Sequence, residues 1–316
     1  MVSKNLKKGI LCGVIGALLI GLQPIIAESR PSEIDPFIFA AITALIEALI
    51  FFPIYIIERY RIHKLNNKNQ IDKETHDSLL NGWKKKGNLK LIFIIGVSFS
   101  AVPVLLFIGF DLAGSINSSL ALKSEIIFTL LFGYLILKEE KISKIQILFC
   151  IFLFFGLIIA ITQGSFNLLE FNIGVIIIVV NTALFSLIHT ITKSAFDRNE
   201  LFPTQVVFIR NLFSGTILFL IYLIIFPKEN LLLLLDINNF IFFLFMSVDY
   251  GFSLLLWYKT LSYIQIGKAG IINSLTPIIT SFFAIILLGN VFTIFHLIGT
   301  AIIIISIIMI VREKRY

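Results

Sequence analysis

Ten stretches of this chain stay apolar for about 20 residues each, the length that crosses the hydrocarbon core of a bilayer. They fall at 9–27, 37–57, 89–110, 115–137, 145–162, 173–193, 204–226, 240–261, 269–288 and 291–311. In hydrocarbon each spanning segment has to satisfy its own backbone N–H and C=O groups, so the chain reads as an all-α membrane protein. Composition agrees: 58% of the residues are hydrophobic and 14% charged, where a soluble domain carries about 25% charge. The first stretch follows Lys4, Lys7 and Lys8, as the core of a cleaved leader would. However, Ile25-Ile26-Ala27-Glu28 is a poor cleavage site and the stretch has a counterpart later in the chain, so it reads as a retained helix. Cys12 and Cys150 lie inside apolar stretches without CxxC spacing and read as packing residues. No metal or nucleotide motif is visible, so no cofactor is expected.

The chain also repeats itself. A shift of 150 residues lays Leu105, Leu106, Ser124, Phe132, Ile136 and Leu137 on Leu255, Leu256, Ser274, Phe282, Ile286 and Leu287. It also lays Lys123 on Asn273, Glu140 on Asn290 and Gln146 on His296. A shift of 166 to 167 lays Ala17-Leu18 on Ala183-Leu184, Gln23 on His189 and Pro36 on Pro203. Two agreeing offsets indicate two five-span repeats, at 1–165 and 166–316. Five is odd, so the two repeats have opposite orientation in the membrane.

Basic residues orient the spans. Of the 26 Lys and Arg, only Arg30 and Lys228 fall in the loops on one side, while Lys123 and Arg210 lie within spans. The rest share the side of the two chain ends, which places both termini in the cytoplasm. The net charge of +7 therefore reflects membrane flanks, and nucleic-acid binding is not expected. One cytoplasmic loop, 58–90, is long, basic and without a repeat counterpart. It reads as a solvated loop with a short helix near 77–83; the alternative is attachment to anionic lipid through Trp83-Lys84-Lys85-Lys86. Small residues recur every four positions at Gly9, Gly13, Ala17 and Gly21 and at Gly156, Ala160 and Gly164, which suits close helix crossings.

Polar residues at membrane depth carry the functional information, because a charge there is costly and normally faces protein or a water-filled path. Glu47, Glu125 and Asp249 fall near mid-span, with Lys123, His189 and Arg210 also inside spans. Lys123 and Glu125, two residues apart, point about 200° from each other on a regular helix and cannot pair directly. Two cations cannot balance three carboxylates, so the cheapest neutral arrangement leaves one carboxyl protonated and makes it a candidate proton carrier. Structural ion pairs are the alternative. Gln23, Asn181, Asn273 and Thr276 are either path residues or interhelical hydrogen-bond partners.

These features together resemble the EamA-type permeases of the drug/metabolite transporter superfamily. Trp257-Tyr258-Lys259-Thr260-Leu261 followed by Ala269-Gly270-Ile271-Ile272-Asn273-Ser274-Leu275-Thr276-Pro277 is similar to the family's eighth-to-ninth-span signature. Leu287-Leu288-Gly289-Asn290 with His296 and Gly299 resembles its end motif, in which Asn290 and His296 replace the usual Glu and Gln. In the first half Leu137-Lys138-Glu139-Glu140 and Gln146 keep both, with Phe149 in place of the Gly. Pro203 and Arg210 match a second and seventh-span pattern whose first-half Arg is Thr43 here, and the usual fourth-span Pro is Ile127.

The resemblance implies ten spans around a central cavity and transport of small polar solutes such as amino acids. The expected protein is thus a multi-pass secondary transporter of the plasma membrane, an exporter working by alternating access, and not an enzyme. Lys123 and Arg210 are expected to hold anionic groups of the substrate. Glu125, Asp249 and Glu47 are expected to take its ammonium group or a coupling proton. The remaining path candidates are His189, Asn273, Asn181 and Gln23. The expected partners are a small polar solute and membrane lipid, with a homodimer left open. A lipid-acting enzyme is disfavoured because His63, His76, His189 and His296 are scattered along the chain. A scaffold or lipid-handling protein would have no use for so many buried charges.

Overall fold

In the computed structural model, residues 2–312 are described apart from 69, 138–141, 167–171 and 265, so most of the 137–140 motif lies outside the described residues. In chain order the helices are α1 (Val2–Ser29), α2 (Pro36–Asn67), α3 (Lys73–Asn81), α4 (Lys86–Ala113), α5 (Ser115–Ala121) and α6 (Glu125–Ile136). They continue with α7 (Lys144–Ile161), α8 (Ile173–Asp197), α9 (Pro203–Ile225), α10 (Ile237–Tyr263), α11 (Ile266–Asn273), α12 (Thr276–Phe283) and α13 (Ile294–Arg312). Ten candidate spans result among the described residues, with α5–α6 and α11–α12 each forming one. Leu49, Ile57, Phe93, Ile224 and Val291 point outward, as lipid-facing side chains do.

The packing follows the repeat. α1 lies against α10, and in the equivalent place α8 lies against α4; α12 lies against α1 as α6 lies against α8. The second span packs on its own counterpart, α2 on α9, and the fifth on its own, α7 on α13. Elements that touch their own counterparts surround a pseudo-two-fold axis. The caps repeat as well. Pro36 and Pro203 both open helices, where a missing N–H costs nothing. At the start of α7, Ser143 N donates to Gln146 Oε1 at 2.9 Å. At the start of α13, Thr293 N donates to His296 Nδ1 at 3.1 Å. The His that departs from the family's Gln thus does the same capping work.

Both spans that read as continuous helices in the sequence are broken, and at the same repeat position. α5 passes into a 3-10 turn, Leu122–Ser124, before α6. α11 ends at Asn273, and Pro277 starts α12. Ser124 Oγ donates to Ala121 O at 2.8 Å and Ser274 Oγ to Ile271 O at 2.6 Å, so each serine satisfies a carbonyl of the turn beside its break. The first half therefore breaks without the proline that Ile127 replaces.

Polar clusters tie elements together at both faces. On the face away from the chain ends, Glu28 accepts from Ser115 N at 2.7 Å and from Asn290 Nδ2 at 3.0 Å. There Arg30 also pairs with Asp111, its Nη1 donating at 2.8 Å. On the other face the long basic segment is largely exposed and carries the short helix expected from the sequence, but it is also tied to the bundle. α2 runs on to Asn67, α3 begins already at Lys73 with Asp72 as its cap, and Leu80 packs with Ile62 and Phe202. Gly82 lies so close to the α8–α9 turn that a Cβ there would sit 2.5 Å from Glu200 O. Trp83 packs, partly buried, against the apolar core, which removes the ring from the alternative Trp-Lys-Lys-Lys attachment to lipid.

Glu200 fastens this clasp, accepting from Lys85 Nζ at 2.7 Å, Asn88 Nδ2 at 3.0 Å and Arg198 Nε at 2.7 Å. Burial works to raise its carboxyl, but the hydrogen bonds from Lys85, Arg198 and Asn88 outweigh it and hold the group at about 2, below its ordinary 4.5. A depressed carboxylate stabilises fully above its ordinary value, and that contribution is lost as pH falls through the folded one. The clasp should therefore hold at neutral pH and loosen as pH falls from 4.5 toward about 2. At neutral pH, Glu200→Gln should speed tryptic cleavage at Lys84, Lys85 and Lys86 several-fold. About 1 M salt should act in the same direction, since the Debye length falls to ~3 Å and the Lys85 and Arg198 side chains are exposed. Equal cleavage of mutant and wild type in low salt would show that Glu200 does not hold the segment.

Candidate functional site

A cavity with about 620 Å³ of non-atom space, part of it open to solvent, lies among α1, α4, the Leu122–Ser124 turn, α6 and α8–α11. Six of the nine sequence-predicted residues line it: Gln23, Lys123, Glu125, His189, Arg210 and Asn273. Lys123 and Asn273, equivalent in the two repeats, touch each other: Lys123 Nζ donates to Asn273 O at 2.8 Å. Residues that meet their own counterparts lie near the pseudo-two-fold axis, so the two helix breaks converge there. The carbonyl is one of those that the end of α11 leaves without an intrahelical partner, at the negative end of the helix dipole, a good place for an ammonium. Thr276 Oγ1 donates to the same carbonyl at 3.0 Å. The Asn273 amide then reaches Glu125, Nδ2 to Oε2, at 3.2 Å.

Lys123 and Glu125 thus share one residue of the opposite repeat without pairing directly. Among the described residues no ion pair within 4 Å joins any of Glu47, Lys123, Glu125, Arg210 and Asp249, although Lys123 and Glu125, and Arg210 and Glu47, are near enough to feel each other's charge. Their hydrogen-bond partners are neutral. Glu47, 2% exposed, accepts from Asn211 Nδ2 at 2.6 Å. Arg210, 1% exposed, lies over the Phe99 ring at 3.9 Å from its centroid and near Tyr250 at 5.3 Å. His189 accepts at Nδ1 from Trp257 Nε1 at 3.2 Å and stacks on Phe99. Gln23 donates to Ser253 Oγ at 2.7 Å and faces Asp249.

Glu47, Asn181 and Asp249 lie outside the cavity lining. Glu47 is held against α9, and Asn181 ties α8 to α4 by donating to Val102 O at 3.0 Å. Asp249 is buried on α10 beside Gln23. The aromatic wall formed by Phe99, Phe185, Tyr250 and Trp257 was not legible in the sequence. Among 32 Phe nothing marks Phe99 or Phe185. Trp257 stood inside a quoted motif, which was its one signal.

Ten spans in two repeats, with paired helix breaks and a buried cavity between them, define a polytopic membrane protein. The chain belongs to the EamA-like transporter family, which it matches over residues 7–162 and 172–312. It is 25% identical over 297 residues to an uncharacterized transporter of Methanothermobacter thermautotrophicus, covering 90% of this chain and 81% of that protein. A solved crystal structure shares the fold with a TM-score of 0.64 at 13% identity, covering 96% of both chains.

Proposed function

We propose that this transporter is a secondary carrier and exporter of small polar metabolites such as amino acids, working in the plasma membrane by alternating access between repeats 1–165 and 166–316, with Glu125 carrying a coupling proton. The observation that carries this reading is the Lys123–Asn273–Glu125 contact on the pseudo-axis: a charged cluster at the cavity wall made jointly by both repeats. Rocking one half against the other has to remake it. The contacts of Glu28 with Asn290 and of Glu200 with Lys85 also join the two halves, one at each face, as gates of an alternating carrier would. Reconstituted protein should exchange a labelled amino acid across liposomes and accelerate its movement when a pH gradient is imposed. Failure of every amino acid and related metabolite in a broad panel would sink the reading.

The skewed distribution of Lys and Arg supports cytoplasmic termini. Cysteines placed at Ser32 and Lys228 should then react with an impermeant reagent in intact cells, while one at Gln70 stays unlabelled. Labelling at Gln70 would invert the orientation.

A further inference from the structure

Three charged side chains line the cavity, and two of them are already engaged. Lys123 and Glu125 are both bound to Asn273. Arg210 is different. Its Nε and Nη1 have no hydrogen-bond partner, although the side chain is 99% buried by its 1% exposure. Glu47, the carboxylate whose charge it feels, makes no ion pair with it and is engaged by Asn211. The guanidinium lies with its flat face over Phe99 and beside Tyr250, and the hydroxyls of Tyr250 and Tyr258 also act on it. Cation–π contact uses the face of the group, and on its N–H edge Nε and Nη1 are left without a hydrogen-bond partner. That edge is a rigid fork of donors whose spacing matches the two oxygens of a carboxylate. A buried arginine with unpaired donors is costly to keep unless a ligand completes it.

Apart from Gln23, His189, Tyr250 and Ser253, the rest of the wall is apolar. Phe99, Leu106, Phe185, Leu254 and Trp257 surround the space in front of Arg210. A bare inorganic anion would leave these side chains unfilled, and a cation would meet Arg210 with like charge. Because one N–H of Lys123 is engaged by a backbone carbonyl of the opposite repeat, we assign it to the contact between the halves rather than to anion capture. We propose that the cavity takes a carboxylate joined to a flat apolar body, the carboxylate on the Arg210 fork and the body against Phe99, Phe185 and Trp257. The inference narrows the substrate class within the transporter reading and rests on it.

The test uses three probes on purified full-length protein in detergent: 3-phenylpropionate, phenethylammonium with the same body and opposite charge, and acetate with the same charge and no body. Binding is read as a concentration-dependent rise in Tm. 3-Phenylpropionate should stabilise, and the other two should not at equal concentration. Arg210→Lys keeps the charge but loses the fork and should weaken binding by about tenfold or more, roughly the discrimination one well-formed charged contact supplies. Phe99→Leu, which keeps Arg210 and most of the volume, should weaken it several-fold and serves if Arg210→Lys does not fold. Stabilisation by phenethylammonium equal to that by 3-phenylpropionate would overturn the proposal, as would no stabilisation by either. Affinity for 3-phenylpropionate unchanged in the variants that fold would do the same. Liposome exchange separates this inference from the transport reading. If amino acids exchange while 3-phenylpropionate neither binds nor competes, the substrate class is wrong and the carrier stands. If 3-phenylpropionate binds through Arg210 while no solute moves, the site stands and the carrier reading fails.

Discussion

Glu125→Gln should nearly abolish pH-driven flux while leaving the folded protein almost as stable as wild type. The side chain accepts one hydrogen bond, from Asn273 Nδ2 at 3.2 Å, and has no ion pair with Lys123. A glutamine oxygen can accept the same bond, so the stability change should stay within about 1 kcal/mol, the net value of one ordinary hydrogen bond. A neutral amide cannot carry a proton across the cycle. Net flux driven by a pH gradient should therefore fall by about tenfold or more, a factor equivalent to ~1.4 kcal/mol, while exchange of substrate at equal pH survives. Both are measured on one preparation, Tm in detergent and flux in liposomes. Should the change instead cost about 3–5 kcal/mol, Glu125 is the buried counter-charge of Lys123 and not a proton carrier. Unchanged stability with unchanged pH-driven flux would remove it from both roles.

Gly299→Val should be among the most damaging substitutions that touch no polar group. α7 and α13 cross at Gly156 and Gly299 with backbone against backbone: a Cβ on residue 299 would lie 2.5 Å from Gly156 O and 2.7 Å from Ala160 Cβ. Neither neighbour is the tip of a flexible side chain, so the helices themselves have to separate. Overpacking of this kind costs about 1–3 kcal/mol and often more where backbone has to move. In a membrane the loss is not recovered by hydrophobic burial elsewhere, because lipid is as apolar as the side chains it replaces. Gly87→Ala is the matched control. A Cβ there meets nothing within 4 Å, and alanine is favoured over glycine in a helix by about 0.5–1 kcal/mol. Tm should fall clearly for the first variant and hold or rise for the second. Equal Tm values would mean that α7 and α13 are not held at this distance.

The stripe Gly156, Ala160 on α7 was legible in the sequence as a crossing, but its partner Gly299 was noted there only as part of a motif. Similarly, Gly9, Gly13 and Gly21 announced that α1 packs closely, and the structure adds Ile264, Ile272 and Ile279 as what they pack on. The attachment of the 58–90 segment to the bundle was not legible because its composition is polar and its few apolar residues are scattered. Leu80 and Ile62 are 18 positions apart and join only because α3 folds back along the end of α2 toward Phe202.

Length and hydropathy by themselves determined the ten spans, since a bilayer requires each crossing to be long, apolar and self-sufficient in backbone hydrogen bonds. Internal similarity determined the two repeats, and the odd number of spans in each determined their opposite orientation. The buried charges were also legible, because Lys, Arg, Asp and Glu stand out in apolar sequence. Only the tertiary structure decided which of them share a cavity. Helices that are apolar on nearly every side carry no periodicity to say which face turns inward, so the rotation of each is set by its neighbours. Lys123 and Glu125 show the consequence. On a regular helix they point apart, but the 3-10 turn at Leu122–Ser124 changes the rotation per residue, and both reach Asn273. Arg210 is the converse case: its charge is plain in the sequence, while its lack of a polar partner for Nε and Nη1 exists only once Phe99 and Tyr250 have closed around it.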